Sequence, residues 1–128
     1  MGCDIHAYIV SDNSYTGEEL DLGRNYDFFG ALADVRNGGH GTKFTPIAAN
    51  RGIPEGEKFD VVRAIYKECA GYGHSISWAT KEEVIKAIKV SALELEEKEK
   101  LKDNYWYKSI INEMEVYENP VLVFFFDS

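Results

Sequence analysis

The sequence predicts a single α+β domain, built from a small mixed β-sheet and three to four helices. A length of 128 residues is typical of one domain. Helical patterns lie between strand patterns along the chain, which favours α+β over an all-β fold. The run VLVFFF over 121–126 is apolar at every position, as is typical of a strand buried on both faces. We therefore expect this strand at the centre of the sheet, with a strand over 3–10 beside it.

Alternating polarity predicts that first strand over 3–10. Its two faces carry different side chains, with Ile5, Ala7 and Ile9 on one and Asp4, His6 and Tyr8 on the other. A polar loop rich in turn-forming residues is predicted over 11–25, and a helix over 26–36, where apolar side chains recur at core spacing. Asn37 and the two glycines after it are expected to end the helix, because they tolerate left-handed backbone conformations.

Residues 38–57 form the least regular stretch, with five glycines and two prolines. A short strand is predicted over 43–48 within it. A loop this long in a small domain is usually functional or disordered, which makes the stretch a candidate for function. An apolar stripe at helical spacing predicts the next helix over 59–69.

A strand is predicted over 74–79, after the glycines that surround Tyr72. Alternation would place three of its side chains on one face: His74, Ile76 and Trp78. Thr80 and Glu83 have the spacing of a capping box, and the helix that they open is predicted to run to about Lys98.

The last helix is predicted over about 103–117. Its apolar stripe consists of Trp106, Ile110 and Met114. The charged run over 94–103 indicates a solvated surface with local ion pairs. No internal repeat or linker divides the chain, so residues 1–128 are expected to form one domain.

The net charge of −8 excludes one broad class of function. Nucleic-acid binding depends on neutralising phosphates with basic side chains, so general DNA or RNA binding is not expected. No apolar run approaches the roughly 18–20 residues of a membrane span. Two cysteines, Cys3 and Cys69, do not make a disulfide framework, and both are expected to be structural. We therefore expect a cytoplasmic protein that does not engage a membrane.

Histidines supply the candidate catalytic residues, His6 and His74. Asp4 and His6 lie two residues apart on one strand face, a spacing that occurs in metal sites. His74 would be the natural third ligand or a general base, and His40 could approach the same point. The alternative for His6 is a hydrogen-bonded histidine near the sheet edge. A divalent metal on Asp4, His6 and His74 is the less favoured reading, because a fourth ligand is missing.

Arginine and asparagine stand side by side at three places: Arg24-Asn25, Arg36-Asn37 and Asn50-Arg51. A guanidinium beside an amide suits phosphate and base-edge recognition. The alternative is that the arginines pair with the abundant acids and the asparagines form turns. Ser75 and Ser77 are expected to bind a ligand or to cap neighbouring backbone, since no G-x-S-x-G elbow accompanies them. The dinucleotide, P-loop, C-x-x-C and H-E-x-x-H motifs are also absent from the sequence.

Five short sequence motifs occur in order along the chain: Met1-Gly-Cys-Asp-Ile-His6, Gly23-Arg-Asn-Tyr26, Leu32-Ala-Asp-Val-Arg-Asn-Gly38, Arg51-Gly-Ile-Pro54 and His74-Ser-Ile-Ser-Trp78. In these motifs the chain resembles a family of small proteins from phages and phage-like elements, which open with MGCDIH and carry RNY, LADVRN, RGxP and HSxSW. The resemblance implies a phage or prophage accessory protein in the host cytosol. It implies no mechanism, because no function is assigned to the family. Ile76 occupies the position at which relatives often have a second histidine. Many relatives also have an acidic residue just before the Gly-His pair, where this chain has Tyr72 nearby. Both departures weaken the case for a metal site built from this segment.

The leading functional hypothesis is a polar pocket for a small anionic, nucleotide-like ligand, which the protein would sequester to counter a host defence. The residues expected to bind it are Asp4, His6, Arg24, Asn25, Tyr26, Arg36, Asn37, Arg51, His74, Ser75, Ser77 and Trp78. One alternative is a metal-dependent phosphoester hydrolase that uses Asp4, His6 and His74. Another is an acidic inhibitor that docks a basic host or defence protein through 94–103. The pocket hypothesis requires His6 and His74 to face one cavity, with Arg36 and Arg51 partly buried beside the glycine-rich loop.

Overall fold

The computed structural model describes residues 2–12, 19–39, 41, 43–69, 71–93 and 105–127. These residues form three strands and four α-helices, which confirms the α+β class. In chain order the elements are β1 (Asp4–Val10), α1 (Tyr26–Ala33), a 3₁₀ turn (Glu57–Phe59), α2 (Asp60–Glu68), β2 (Gly73–Thr80), α3 (Lys81–Leu93), α4 (Tyr105–Glu115) and β3 (Val121–Asp127). Among the described helices, none combines the length and the apolar composition that crossing a membrane requires.

The strands form one sheet in the order β1-β3-β2. The predicted centre of the sheet is therefore confirmed, with the strand of 3–10 as its neighbour. Both pairings are antiparallel, so the mixed sheet that we expected is not formed. Antiparallel neighbours do not need the crossover helix through which a parallel pair is usually joined, and within the described residues both α3 and α4 lie between β2 and β3 along the chain.

Both faces of β3 are buried, as its continuous apolar sequence predicts. Phe124 and Phe126 are fully buried in the larger core, which contains the apolar side of α1 and residues of α3 and α4. Val123 and Phe125 are buried on the opposite face, in a smaller core that includes Val62 of α2. Neighbouring phenylalanines of β3 therefore point into different cores.

Helix α1 ends earlier than predicted, at Ala33 instead of residue 36. Asp34 adopts a left-handed conformation with φ of 60°, and Arg36 does so with φ of 53°. The chain then turns back onto the helix. The Asn37 side chain accepts a hydrogen bond from Phe44 N and donates one to Phe44 O, each at 2.8 Å.

Residues 43–48 do not form the predicted strand. The backbone instead donates to the C-terminal carbonyls of α1, from Ile47 N to Ala31 O at 3.0 Å and from Ala48 N to Leu32 O at 2.7 Å. These bonds use backbone groups that a sheet would need, so the segment is attached to the helix instead of forming a strand.

A bulge interrupts β2 near its start. His74 lies opposite Phe126 and Ser77 opposite Phe124, so three residue steps on β2 match two on β3. Ser75 has φ of 57° at this point. The additional residue reverses the alternation, and the prediction that His74 shares a face with Trp78 is therefore wrong.

Other local predictions are confirmed. Thr80 N donates to Glu83 Oε1 at 3.1 Å and Glu83 N donates to Thr80 Oγ1 at 3.3 Å, which is the predicted capping box. Ile110 and Met114 of α4 are buried. The charged run over 94–103 and the predicted helix end near 98 lie outside the described residues.

Gly30 allows the turn after α1 to close against the helix. A Cβ at this position would lie 2.8 Å from Asn37 Oδ1 and 3.0 Å from Asn37 Cα. An alanine inside a helix normally gains about 1 kcal/mol over glycine. We expect Gly30→Ala instead to lower the free energy of unfolding by about 1–3 kcal/mol, because the clamped turn must shift.

Urea unfolding followed by circular dichroism measures this change. Gly71→Ala is the matched control, because a Cβ there would have nothing within 4 Å and should leave stability within about 0.5 kcal/mol. A Gly30→Ala protein more stable than the parent would contradict the close approach.

Candidate functional site

Eight of the twelve predicted site residues lie in three separate places instead of one, and the other four lie at the two ends of α1. The register pairs Asp127 with both Asp4 and Gly73, so three strand ends meet at what we name the Asp127 end of the sheet. Asp4, His6 and Arg24 lie there around one cleft. The second place is the opposite sheet face at this end, with His74 and Ser75. The third is the far end of β2, with Arg51, Ser77 and Trp78.

His6 is held from three sides at the Asp127 end. Its ring stacks on Phe125, with ring centres 5.1 Å apart and planes inclined by 24°. Its Nδ1 contacts a carboxylate oxygen of Glu19, and its Nε2 contacts one of Asp127. Both nitrogens are therefore engaged by acids, which fixes the orientation of the imidazole.

Burial and hydrogen bonding act in opposite directions on His6. Burial lowers the pKa of the imidazole, while its hydrogen bonds to Asp127 and Glu19 raise it, and the net result is a pKa above the usual 6.5. The protonated form can donate from both nitrogens. The two carboxylates therefore favour an imidazolium at this position.

Arg24 forms a two-point ion pair with Asp4 at the edge of the same cleft. Its Nε donates to Asp4 Oδ1 at 2.6 Å and its Nη2 donates to Asp4 Oδ2 at 3.2 Å. The guanidinium also lies against Gly2, where a Cβ would come within 2.2 Å of Nη1. This hydrogen bonding holds the pKa of Asp4 below its usual value.

The cleft that His6, Asp4 and Arg24 line, which we name the His6 cleft, has a volume of about 250 Å³ and is open to solvent. Its polar lining consists of Asp4, His6, Glu19, Asp21 and Arg24. Three carboxylates thus face one guanidinium and one imidazole. Such a surface offers hydrogen-bond acceptors to the hydroxyl, amino and cationic groups of a ligand. Its carboxylates repel an anionic ligand group.

Sequence reasoning missed three acids of this site: Glu19, Asp21 and Asp127. Glu19 reaches His6 because Leu20 N donates to Ala7 O at 2.8 Å, which aligns the loop with β1. Asp127 reaches His6 across the β1–β3 register. The apolar run over 121–126 placed Asp127 directly after a strand, but only the register could show which strand ends it faces.

His74 does not share the His6 cleft, contrary to expectation. Its ring faces Phe126, with ring centres 6.2 Å apart, while His6 faces Phe125. Because Phe125 and Phe126 point to opposite faces of β3, the two imidazoles lie on opposite sides of the sheet. The bulge at Ser75 causes this, and Ser75 Oγ lies 2.9 Å from His74 Nδ1.

The three candidate metal ligands, Asp4, His6 and His74, which the sequence did not favour as a metal site, are therefore not brought together. Within the described ranges, no group of three or more His, Cys, Asp or Glu side chains is arranged to hold a metal ion. His40, the remaining histidine, lies outside the described residues.

Arg51 is an exposed residue, although only 28% of its side chain is accessible, and its guanidinium connects three segments. Its guanidinium donates to both Glu83 oxygens, at 2.8 and 2.6 Å, and to the carbonyls of Trp78 and Ile47. It also lies over the Trp78 ring, 4.9 Å from the centre. This ion pair holds the pKa of Glu83 below its usual value. The acid-pairing alternative therefore describes Arg51.

Ser77 is fully buried and ties the same loop to β2. Its Oγ donates to Ala48 O at 2.6 Å and accepts from Arg51 N at 3.0 Å. This is the backbone-capping role among the alternatives for the hydroxyls. The loop that carries Arg51 is thus attached along the outer edge of β2.

The remaining predicted residues organise the start and end of α1. Asn25 caps the helix by accepting from Phe28 N at 3.1 Å, and the Tyr26 hydroxyl accepts from Cys3 N at 3.0 Å. Arg36 is exposed, contrary to expectation, because the left-handed turn directs it outward; it lies 5.4 Å from the centre of the Tyr26 ring. Asn37 closes the turn described above.

The fold and the site define an α+β protein with a carboxylate-rich cleft at one end of an antiparallel sheet. Comparisons of this chain with protein-family models, curated proteins and solved structures give no match. The functional argument therefore depends on the residues themselves.

We expect the pKa of His6 to lie above 6.5 and to fall in Asp127→Asn, because one carboxylate partner is lost. Because its folded pKa is raised, His6 stabilises the fold fully below the unfolded pKa. That contribution is lost as pH rises through the folded pKa. NMR titration of the imidazole measures both values. Glu113→Gln, on the exposed face of α4, is the control and should leave the His6 pKa unchanged.

We expect Arg51→Lys to reduce the free energy of unfolding by about 1–2 kcal/mol, because lysine cannot form the two-point pair with Glu83. Arg63→Lys is the matched control, since Arg63 pairs with Asp60 within one helix and reaches one further acceptor, Pro54 O, at 2.9 Å, so its replacement should cost less, about 0.5 kcal/mol. Equal losses in the two variants, measured by urea unfolding, would show that Arg51 has no special structural role.

Proposed function

We propose that this protein binds a small nucleoside-like ligand in the His6 cleft, through the hydroxyl and amino groups of the ligand. The observation that carries the proposal is the His6 imidazole, held between Glu19 and Asp127 at the wall of an open cleft. A polar group held in this way is preorganised, so less conformational entropy is lost on binding.

The size and chemistry of the cleft support this class of ligand. About 250 Å³ lies just below the usual range for small-molecule pockets, so the cleft would hold one ring, such as a ribose or a base. Carboxylates accept hydrogen bonds from ribose hydroxyls and from exocyclic amino groups. The rest of the ligand would extend through the open side.

Phosphate recognition by the arginines has less support than the leading hypothesis assumed. Arg24 and Arg51 each form a two-point pair with a carboxylate, and a phosphate would have to displace it. The excess of acids in the His6 cleft adds repulsion. The proposed ligand is therefore nucleoside-like and is not recognised through its phosphates.

Binding is better supported than catalysis. Both nitrogens of His6 contact protein carboxylates, so a general base would first have to break one of these bonds. The hydrolase alternative needs Asp4, His6 and His74 around one metal, and these side chains do not converge. The inhibitor alternative relied on 94–103, which lies outside the described residues.

Sequestration of a host signalling nucleoside or nucleotide derivative would fit this binding role. The resemblance to phage and prophage proteins supports such a role in the host cytosol, as part of counter-defence. Sequestration requires affinity and no catalytic group, which agrees with the engaged state of His6.

The test is an NMR titration of the ¹⁵N-labelled protein with adenosine, guanosine, cytidine and uridine, and with inorganic phosphate. We expect at least one nucleoside to shift resonances of the cleft, and phosphate to shift none there. Glu19→Gln should weaken nucleoside binding about 10-fold, as loss of one charged acceptor typically does, and His6→Ala should weaken it without unfolding the protein.

Glu113→Gln should bind like the parent, because Glu113 is exposed on α4 and does not line the cleft. If all four nucleosides leave the cleft resonances unchanged, or if Glu19→Gln and Glu113→Gln bind equally, the proposed function is wrong.

A further inference from the structure

We propose a second binding site, for a small organic anion with an apolar body, in a groove between residues 43–47 and helix α3. We name it the Lys43–Lys86 groove, after the two lysines at its rim. Its volume is about 590 Å³, within the usual range for small-molecule pockets. This site is separate from the His6 cleft and does not depend on the proposed function.

The floor of the groove is apolar. Pro46 and Ile47 from the loop and Val90 from α3 are half-buried, and Phe44 beneath them is buried. Exposed apolar surface in a concave place gains free energy when a ligand covers it. The floor therefore suits a flat or branched hydrocarbon group.

The loop wall is rigid although it contains no strand or helix. Asn37 holds Phe44 through both backbone groups, and Ile47 N donates to Ala31 O of α1. On the other side of the peptide, Ile47 O accepts from Arg51 Nη2 at 2.8 Å. A wall fixed at these points is formed before a ligand arrives, so binding does not have to order it.

The charges of the groove favour an anion. Lys43 and Lys86 are both exposed, and neither takes part in an ion pair within the described part of the chain. Glu83 also lines the groove, but both of its oxygens bind Arg51. Two lysine charges therefore remain uncompensated at the rim.

The Lys43–Lys86 groove is locally basic, whereas the molecule as a whole is acidic. The chain carries a net charge of −8, and the His6 cleft holds more carboxylates than cations. A ligand anion would be repelled from most of the surface and attracted to the lysine rim. The groove therefore combines a concave surface with local positive charge, and both features favour the binding of an anion.

The occupant that fits these features has one anionic head group between the lysines and an apolar body on the floor. Indole-3-acetate is a suitable probe of this class. Exposed lysines and a partly open floor predict weak binding, with a dissociation constant of about 1 mM for a probe of this size.

The experiment compares three probes by NMR titration: indole-3-acetate, its neutral isostere indole-3-acetamide, and acetate. We expect indole-3-acetate to shift resonances of 43–47 and α3. The amide should bind at least about 5-fold more weakly, because the lysines contribute through charge, and acetate should cause no saturable shift. Equal affinities for the acid and the amide would overturn the proposal.

Variants locate the site and separate it from the His6 cleft. Lys43→Gln and Lys86→Gln should each weaken indole-3-acetate binding about 3-fold, whereas the control Lys89→Gln, on the same helix but outside the groove, should have no effect. His6→Ala should also leave this binding unchanged. Equal binding by Lys86→Gln and Lys89→Gln, or shifts confined to the His6 cleft, would show that the groove is not the site.

Discussion

The burial of β3 on both faces is the constraint on which the rest of the structure depends. Residues 122–126 are all buried, with no more than 1% of any of these side chains exposed. A strand of this kind must be covered by two layers and must have a partner at each edge. Helices α1, α3 and α4 supply one layer, the 3₁₀ turn and α2 supply part of the other, and β1 and β2 occupy the edges.

This central strand also decides which polar residues meet. Asp127 ends β3 beside the starts of β1 and β2, which gathers polar groups where the apolar run stops. Phe125 and Phe126 send their rings to opposite faces and thereby separate His6 from His74. The cleft forms on the side where the Glu19 loop returns to β1.

Several basic side chains pair with carboxylates. The pairs Arg24–Asp4, Arg51–Glu83 and Lys58–Asp12 join segments that are distant in sequence, whereas Arg63 pairs with Asp60 inside α2. In an acidic protein such pairs relieve local repulsion and attach irregular loops to the sheet. The arginines that resembled an anion site in the sequence are therefore largely structural, while Lys43 and Lys86, which form no ion pair among the described residues, mark the basic groove.

The sequence by itself determined the fold class, the central strand, helix α2 and the Thr80–Glu83 cap, because these depend on patterns within a few residues. It also identified Asp4, His6 and Arg24 as residues of one polar site. Only the tertiary structure decided the antiparallel sheet, the bulge at Ser75 and the partners of the charged residues. His6 and Asp127 are 121 residues apart, and Arg51 and Glu83 are 32 apart. Contacts over such separations depend on strand register and loop path, and no local preference specifies either.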